Sequence, residues 1–266
     1  MNPGCEWKFA LVGLAGCAWL AIAAPSGAAS ASAEKLVEFA SAAPAPAAAK
    51  MQGRLTRPSG VGPFPAIALL HSCLGLPGNR RQIEEALANW GYVALFVDDF
   101  ATRGFRETCA VDFGEGAADA DGALRYLSKR GDVDPARIAV VGYSQGGDTA
   151  LKIAAAPADG PRFKAAAAYY PPCDNLAGAA LEIPTLILVG ALDEVTPAAA
   201  CANLVAAQPP RSDVKFVVLP GARHCFDDSR FAGGARVEGM RLEYDRAAAQ
   251  KASATLRAFL AEQLGH

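Results

Sequence analysis

Gly142-Tyr143-Ser144-Gln145-Gly146 is the stretch that decides the fold of this chain. It has the pattern G-x-S-x-G and lies between a short apolar run, residues 137–141, and a segment with helical spacing, residues 145–155. A serine between a strand and a helix takes a strained backbone conformation, and the flanking glycines let the two elements approach closely. The helix start also offers free N–H groups and the positive end of its dipole. The stretch therefore predicts a sharp turn that projects the Ser144 hydroxyl outward.

Outward from this turn, apolar runs with strand character alternate with segments of helical spacing. Alternation of this kind predicts an α/β fold, a mostly parallel twisted sheet with helices on both faces. We find no internal repeat, and 266 residues with 52% apolar side chains predict a single domain. The predicted strands are 35–40, 51–57, 65–71, 92–97, 137–141, 163–169, 185–189 and 214–219. The predicted helices are 79–89, 116–129, 145–155, 197–207 and 242–264.

The charge pattern restricts the class of partner. The net charge is −2, and no basic face or run of like charges occurs along the chain. Proteins that bind nucleic acid or anionic membranes carry such basic patches, so the charge pattern indicates neither kind of partner. It predicts a small-molecule substrate instead, and we expect no cofactor.

The first residues differ in kind from the rest. Residues 1–33 have a short polar start with Lys8, an apolar run at 9–24 and a small-residue stretch, which predicts a signal peptide cleaved at about 28–33. Alternatively, Leu14-Ala15-Gly16-Cys17 resembles a lipoprotein box that would acylate Cys17. We expect an exported protein, periplasmic or secreted, without a membrane span after cleavage. Residues 34–50 are then a strand and an Ala/Pro-rich linker, and 51–266 form the domain.

Cleavage would leave five cysteines in the mature chain: Cys73, Cys109, Cys173, Cys201 and Cys225. An exported protein can oxidise its cysteines to disulfides. Because five is an odd number, at least one of them stays free or pairs between chains.

A nucleophilic serine needs a base beside it and a carboxylate that orients the base. The chain has three histidines, and His266 is the last residue, where fraying is expected. His71 ends the third predicted strand. His224 follows the last predicted strand after a short loop, and it comes after Ser144 in the order serine, acid, histidine. We therefore predict that His224 is the base.

The orienting acid should lie in a loop at the end of a strand between Ser144 and His224. Asp193 fits this place, directly after the run 185–189 and Gly190. Glu194 and Asp174 are rivals. A loop carboxylate that caps the following helix is another interpretation of Asp193.

Five motifs resemble the dienelactone hydrolase family of α/β-hydrolases over about residues 53–264. They are His71-Ser72-Cys73-Leu74-Gly75, Gly91-Tyr92-Val93, Gly142-Tyr143-Ser144-Gln145-Gly146-Gly147, Gly190-Ala191-Leu192-Asp193 with Thr196-Pro197, and His224-Cys225-Phe226-Asp227. The resemblance implies the α/β-hydrolase fold and a triad of Ser144, Asp193 and His224. It also implies oxyanion donors at the backbone N–H groups of Cys73 and Gln145.

The chain departs from the best-known members of that family, which have a cysteine nucleophile and an acidic residue after the third strand. Here these positions hold Ser144 and the neutral Ser72, which favours a serine-esterase mechanism over lactone specificity. In the family a basic residue helps to hold a substrate carboxylate. The resemblance makes Arg103, together with His71, a candidate substrate-binding residue. The alternative for Arg103 is a surface arginine paired with Asp98 or Asp99.

The strand order that the resemblance implies also suggests how the cysteines pair. Cys73 and Cys109 would lie in neighbouring loops, after the third and fourth strands, and Cys173 and Cys201 after the sixth and seventh. We expect these two disulfides, with Cys225 as the free thiol.

Together these features predict a hydrolase that cleaves small esters or lactones through an acyl-enzyme. The alternatives are a carboxylesterase for longer or plant-derived acyl groups and a catalytically silent binding protein on the same scaffold. A metal site formed by His71, Cys73, His224 and Cys225 matches no zinc spacing, so no metal is expected.

Overall fold

The computed structural model describes residues 33–44, 50–110, 116–157, 160–237 and 239–265. The predicted signal peptide, Cys17 and His266 lie outside the described residues, as do residues 45–49 of the predicted linker. Within the described ranges, every helix is too short or too polar to cross a bilayer.

The centre of the fold is an eight-stranded sheet with the order β1-β2-β4-β3-β5-β6-β7-β8. β1 and β2 pair antiparallel, and β2 pairs antiparallel with β4, whereas all pairings from β4 through β8 are parallel. The carboxyl ends of the parallel strands therefore meet at one edge of the sheet. The strands are β1 (Lys35–Ala40), β2 (Lys50–Thr56), β3 (Phe64–Leu70), β4 (Val93–Asp98), β5 (Val133–Tyr143), β6 (Ala165–Tyr169), β7 (Thr185–Gly190) and β8 (Val214–Leu219).

Five α-helices cover the sheet on two faces. One hydrophobic cluster packs α2, α3 and α4 against the sheet, and a second packs α1 and α5 against the opposite face. The predicted mostly parallel sheet with helices on both faces is thus confirmed. The helices are α1 (Arg80–Asn89), α2 (Gly116–Ser128), α3 (Gln145–Ala155), α4 (Ala198–Ala206) and α5 (Arg246–Leu264), and the 3-10 turns are Ala101–Arg103, Cys173–Leu176 and Ser229–Phe231.

The central strands have the composition that two covered faces require. All five residues of β6 and all six of β7 are buried, and β6 contributes four alanines in succession. A strand buried on both faces is apolar throughout instead of alternating. Small side chains in β6 also let helices pack close to the sheet.

The predicted last helix starts four residues too early. The helix begins after Asp245, whose carboxylate accepts a hydrogen bond from the N–H of Ala248 at 2.9 Å. Such a side-chain cap satisfies an N–H that has no partner within the helix. Leu242 belongs instead to a hairpin that the prediction missed, formed by β9 (Ala235–Val237) and β10 (Met240–Leu242).

Candidate active site

Ser144 lies between β5 and α3 with φ 52° and ψ −112°, a conformation that costs free energy for a residue with a side chain. The glycines around it are required by close packing. A Cβ atom on Gly142 would lie 1.9 Å from the carbonyl oxygen of Gly146, and one on Gly146 would lie 2.4 Å from the carbonyl oxygen of Leu70. Both would collide with backbone, so the sharp turn depends on glycine at these positions.

His224 is buried beside Ser144, in the segment that follows β8. Its Nε2 lies 3.0 Å from Ser144 Oγ, and its Nδ1 lies 2.8 Å from Asp193 Oδ2. A carboxylate only accepts hydrogen bonds, so Nδ1 carries the hydrogen and Nε2 presents its lone pair to the serine hydroxyl. This arrangement can remove the hydroxyl proton.

The Asp193 side chain is fully buried after β7 and has hydrogen-bond donors at both oxygens. Oδ1 accepts the backbone N–H groups of Val195 and Thr196, each at 2.9 Å. The rival acids lie elsewhere, since Glu194 binds Arg223 at 3.1 Å and Asp174 is exposed. Of the three carboxylates considered, Asp193 is the one in contact with His224.

Thr196 is a site residue to which sequence reasoning assigned no role. Its hydroxyl oxygen lies 3.0 Å from Asp193 Oδ2, 3.2 Å from His224 Nδ1 and 3.1 Å from the carbonyl oxygen of Tyr170. The spacing Asp-x-x-Thr, in which the carboxylate accepts local N–H groups, was the available signal. Thr196 therefore holds the carboxylate and the imidazole in register.

Two further strained residues adjoin the site. Tyr170 has φ 39° and Cys225 has φ 58°, and with Ser144 they are the only non-glycine residues of the described chain with positive φ. The Tyr170 ring packs 4.7 Å from the His224 ring, centroid to centroid, and its hydroxyl donates to Asp227 Oδ1 at 2.6 Å. Burial raises the pKa of Asp227 to about 6. Strain that gathers around one group of side chains is typical of functional sites.

The candidate oxyanion donors are the backbone N–H groups of Cys73 and Gln145, two residues that line the same cavity as Ser144. Among the described residues, neither N–H donates a hydrogen bond to a protein acceptor. Thr108 links the two segments, because its N–H donates to the carbonyl oxygen of Cys73 at 2.9 Å and its hydroxyl donates to Gln145 Oε1 at 3.0 Å. Sequence reasoning missed Thr108, since no local pattern marks it. The two free N–H groups can receive an oxyanion.

Both expected disulfides are present. Cys73 bonds to Cys109 and Cys173 bonds to Cys201, with Cα atoms 4.8 and 5.0 Å apart. Cys225 is free and buried, as expected. Two disulfides fit an oxidising compartment.

The triad opens on a cavity of about 300 Å³. Ser144 and His224 lie in its wall, and Val195 is among its apolar side chains. Val237 and Met240 come from the β9–β10 hairpin. The hairpin also holds His224, since Leu242 forms a backbone bridge with it. An apolar cavity with a few polar groups is the usual form of a small-molecule site.

The structure does not bring the two candidate substrate-binding residues into this cavity. The Arg103 guanidinium binds both oxygens of Asp119, at 2.8 and 3.0 Å, and the carbonyl oxygen of Asp99. It pairs with neither the Asp98 nor the Asp99 carboxylate, because α2 places Asp119 within reach instead. His71 Nδ1 lies 2.8 Å from the carbonyl oxygen of Ser72, and Nε2 lies 2.6 Å from Asp99 Oδ1. Burial lowers the pKa of His71, but the charge and hydrogen bond of Asp99, the contact with the Ser72 carbonyl and the charge of Asp98 together raise it above its usual value.

A larger cavity of about 920 Å³ lies on the other face of the sheet, between α1 and α5. Tyr143, next to Ser144 in sequence, lines it, whereas Ser144, Asp193 and His224 do not. Its size does not make it the reaction site, because the described residues that line it include no histidine and no cysteine. Among the described residues, no cluster of His, Cys, Asp and Glu side chains is arranged to hold a metal ion.

Comparison with known proteins agrees with this geometry. The model of the dienelactone hydrolase family matches residues 51–264. The uncharacterised protein Rv2307c of Mycobacterium tuberculosis strain H37Rv is 29% identical over 175 residues. That match covers 57% of this chain, which spans 61% of the relative's length.

Three solved structures share the fold at low sequence identity. A dienelactone hydrolase-like promiscuous phosphotriesterase from metagenomic libraries has a TM-score of 0.70 at 20% identity, covering 88% of this chain and 100% of its own. Dienelactone hydrolase from Anabaena variabilis has a TM-score of 0.63 at 21% identity, covering 86% and 99%. The esterase domain of a Rhodothermus marinus protein has a TM-score of 0.61 at 19% identity, covering 88% and 100%. The expected α/β-hydrolase fold is thereby confirmed.

Proposed function

Since the chain belongs to the dienelactone hydrolase family, and is a hydrolase on that account, we propose that it cleaves small carboxylic esters or lactones through an acyl-enzyme on Ser144. The observation that carries this proposal is the continuous chain of contacts from the Ser144 hydroxyl through His224 to the buried Asp193 carboxylate. A serine in such a chain is activated as a nucleophile.

In the first half of the reaction, Ser144 Oγ attacks the substrate carbonyl carbon while His224 Nε2 takes the hydroxyl proton. The negative charge that develops on the carbonyl oxygen is stabilised by the N–H groups of Cys73 and Gln145. Removing one such donor typically costs about 3 kcal/mol of transition-state stabilisation. His224 then gives its proton to the leaving alkoxide oxygen, and the bond to the alcohol breaks.

In the second half, water attacks the acyl-enzyme carbonyl carbon, and His224 again takes the proton. The second tetrahedral intermediate then collapses: the bond to Ser144 Oγ breaks, His224 returns its proton to that oxygen, and the carboxylic acid leaves. Asp193 stays ionised throughout and orients the imidazole. Thr196, which contacts both groups, keeps them aligned.

The size of the cavity supports small substrates. Its volume of about 300 Å³ is at the lower end of the range for ligand sites in proteins. The alternative of a carboxylesterase for longer acyl chains needs more room than the described residues leave. A catalytically silent binding protein, the other alternative, would need neither the strained Ser144 backbone nor the buried Asp193 carboxylate.

The test is replacement of Ser144 by alanine in the purified mature protein. We expect kcat for p-nitrophenyl acetate to fall by about 10⁴-fold or more, because the remaining groups have no nucleophile to activate. Labelling by a fluorophosphonate, which reacts with activated serines, should disappear. Mass spectrometry of the labelled wild type should place the modification on the peptide with residues 142–147.

Ser72→Ala is the matched control, because Ser72 is the other serine in the cavity wall. This variant should still be labelled at Ser144. Labelling that persists in Ser144→Ala, or that disappears in Ser72→Ala alone, would remove Ser144 from the role.

A further inference from the structure

The charges in the wall of the catalytic cavity favour one class of substrate. Among the described residues, Asp148 is the only carboxylate that lines the cavity, and no lysine or arginine lines it. The residue is buried, and it lies in the first turn of α3, where its N–H donates to the carbonyl oxygen of Ser144 at 2.9 Å. The carboxylate thus stands one helical turn from the nucleophile.

The cation that partners Asp148 is on the solvent side. Lys152 Nζ lies 2.7 Å from Asp148 Oδ2, but half of the lysine side chain is exposed and it does not line the cavity. Asn175 donates to Asp148 Oδ1 at 3.2 Å. These contacts hold the carboxylate in place.

Two arginines of neighbouring segments are committed to other carboxylates. Arg103 binds Asp119, and both side chains are largely buried. Arg223 lies between Glu194 and Glu243, at 3.1 and 3.6 Å. Among the described residues, no arginine or lysine lines the cavity, so a substrate carboxylate would find no cationic side chain in its wall.

In a water-poor cavity like charges repel more strongly than in bulk water, so the Asp148 carboxylate in its wall disfavours an anionic substrate. We propose that the cavity selects esters with uncharged acyl and leaving groups, and that Asp148 sets this selection by repelling a substrate carboxylate. The proposal rests on the esterase function proposed above. Asp148 is a specificity-determining residue in this account and takes no part in bond making. The apolar side chains of Val195, Val237 and Met240 then contact the uncharged part of the substrate.

The experiment compares 4-acetoxybenzoate with its methyl ester. The two aryl acetates give the same acetyl-enzyme and differ by one carboxylate. That carboxylate is para to the acetoxy group, where it cannot assist hydrolysis of the ester within the same molecule. The quantity measured is the ratio of kcat/KM for the anionic ester to kcat/KM for the neutral ester. Comparing this ratio between variants cancels the difference in intrinsic reactivity.

Asp148→Asn should raise the ratio by about fivefold or more, because the amide keeps the Asn175 contact but removes the repelling charge. The kcat/KM of the neutral ester in the same variant is the reference, so a general change in activity cancels from the ratio. Asp174→Asn is the matched control, an exposed carboxylate outside the cavity wall, and it should leave the ratio unchanged. An equal ratio in wild type and Asp148→Asn overturns the proposal, as does an equal rise in Asp174→Asn.

Salt provides a second measurement that needs no variant. Raising NaCl from about 50 to 500 mM screens charge repulsion, so the ratio should rise in the wild type. If Asp148→Asn does not fold, as judged by circular dichroism, a flat salt dependence overturns the proposal. Hydrolysis of neither ester above the level of Ser144→Ala would instead remove the esterase function, and this proposal with it.

Discussion

Two buried histidines lie beside carboxylates at the same edge of the sheet, and they differ in their third partner. His224 lies 2.8 Å from Asp193, and His71 lies 2.6 Å from Asp99. The other ring nitrogen of His224 faces the Ser144 hydroxyl at 3.0 Å, whereas that of His71 faces the carbonyl oxygen of Ser72 at 2.8 Å. The same histidine–carboxylate pair is thus built into two different surroundings.

The third partner determines what each imidazole can do. A hydroxyl group can donate its hydrogen, so a neutral His224 can accept the proton of Ser144. A carbonyl oxygen only accepts, so His71 satisfies both of its partners only as an imidazolium with a hydrogen on each nitrogen. We therefore expect His71 to hold the turn that leads into Cys73 and not to act as a base. A histidine–aspartate pair alone does not identify a catalytic base.

The largest expected effect is a difference in kcat/KM between variants of the two histidines. His224→Gln should lower kcat/KM for p-nitrophenyl acetate by about 10⁵-fold, because the base is lost. His71→Gln should lower it by about tenfold, because only the alignment of an oxyanion donor is affected. Steady-state kinetics, with circular dichroism to verify folding, gives both values. Losses of equal size in the two variants would contradict the division of roles.

An intermediate effect is expected at Thr108, which connects the two proposed oxyanion donors. Thr108→Val keeps the shape of the side chain but loses the hydrogen bond to Gln145. We expect kcat to fall by about tenfold with KM nearly unchanged, because the donors act on the transition state. Thr108→Ser should restore most of the loss. A rise in KM at constant kcat would point instead to a role in substrate binding.

The smallest expected effect is on the pH dependence of stability. Because the folded-state pKa of His71 is raised above 6.5 by Asp99, with Asp98 adding to it, the imidazolium stabilises the fold fully below about pH 6.5. This contribution is lost as the pH rises through the raised value. Urea unfolding between pH 6 and 9 should show the free energy of unfolding of the wild type falling relative to His71→Gln. A constant difference would show that His71 does not titrate in this range.

Much of the fold could be read from local patterns. Strands 35–40 and 214–219 and the helix 145–155 match the structure at both ends. Each of these elements is set by its own periodicity and by the residues that bound it. The β9–β10 hairpin was missed because strands of three residues have too short a pattern to detect, and Leu242 was placed in the helix for the same reason.

The residues of the candidate site also fall into those that a local pattern predicts and those that it does not. Ser144, Asp193 and His224 could be named because each follows a strand whose carboxyl end lies at one edge of the sheet. Thr108 and the partner of Arg103 could not be named, because their contacts join loops or helices that are distant along the chain. Whether a charged side chain faces a cavity or a buried carboxylate depends on tertiary packing, which local sequence patterns do not predict.

The sequence by itself determined the strand-to-helix turn at Ser144, the alternation of strands and helices, and the order serine, acid, histidine. These features depend on glycine geometry and short-range periodicity, which are local properties of the chain. The tertiary structure alone decided the third partner of each histidine, the pairing of Arg103 with Asp119, and the position of Asp148 in the cavity wall. Those outcomes depend on distances between side chains far apart in sequence, and such distances are set only when the layers pack against each other.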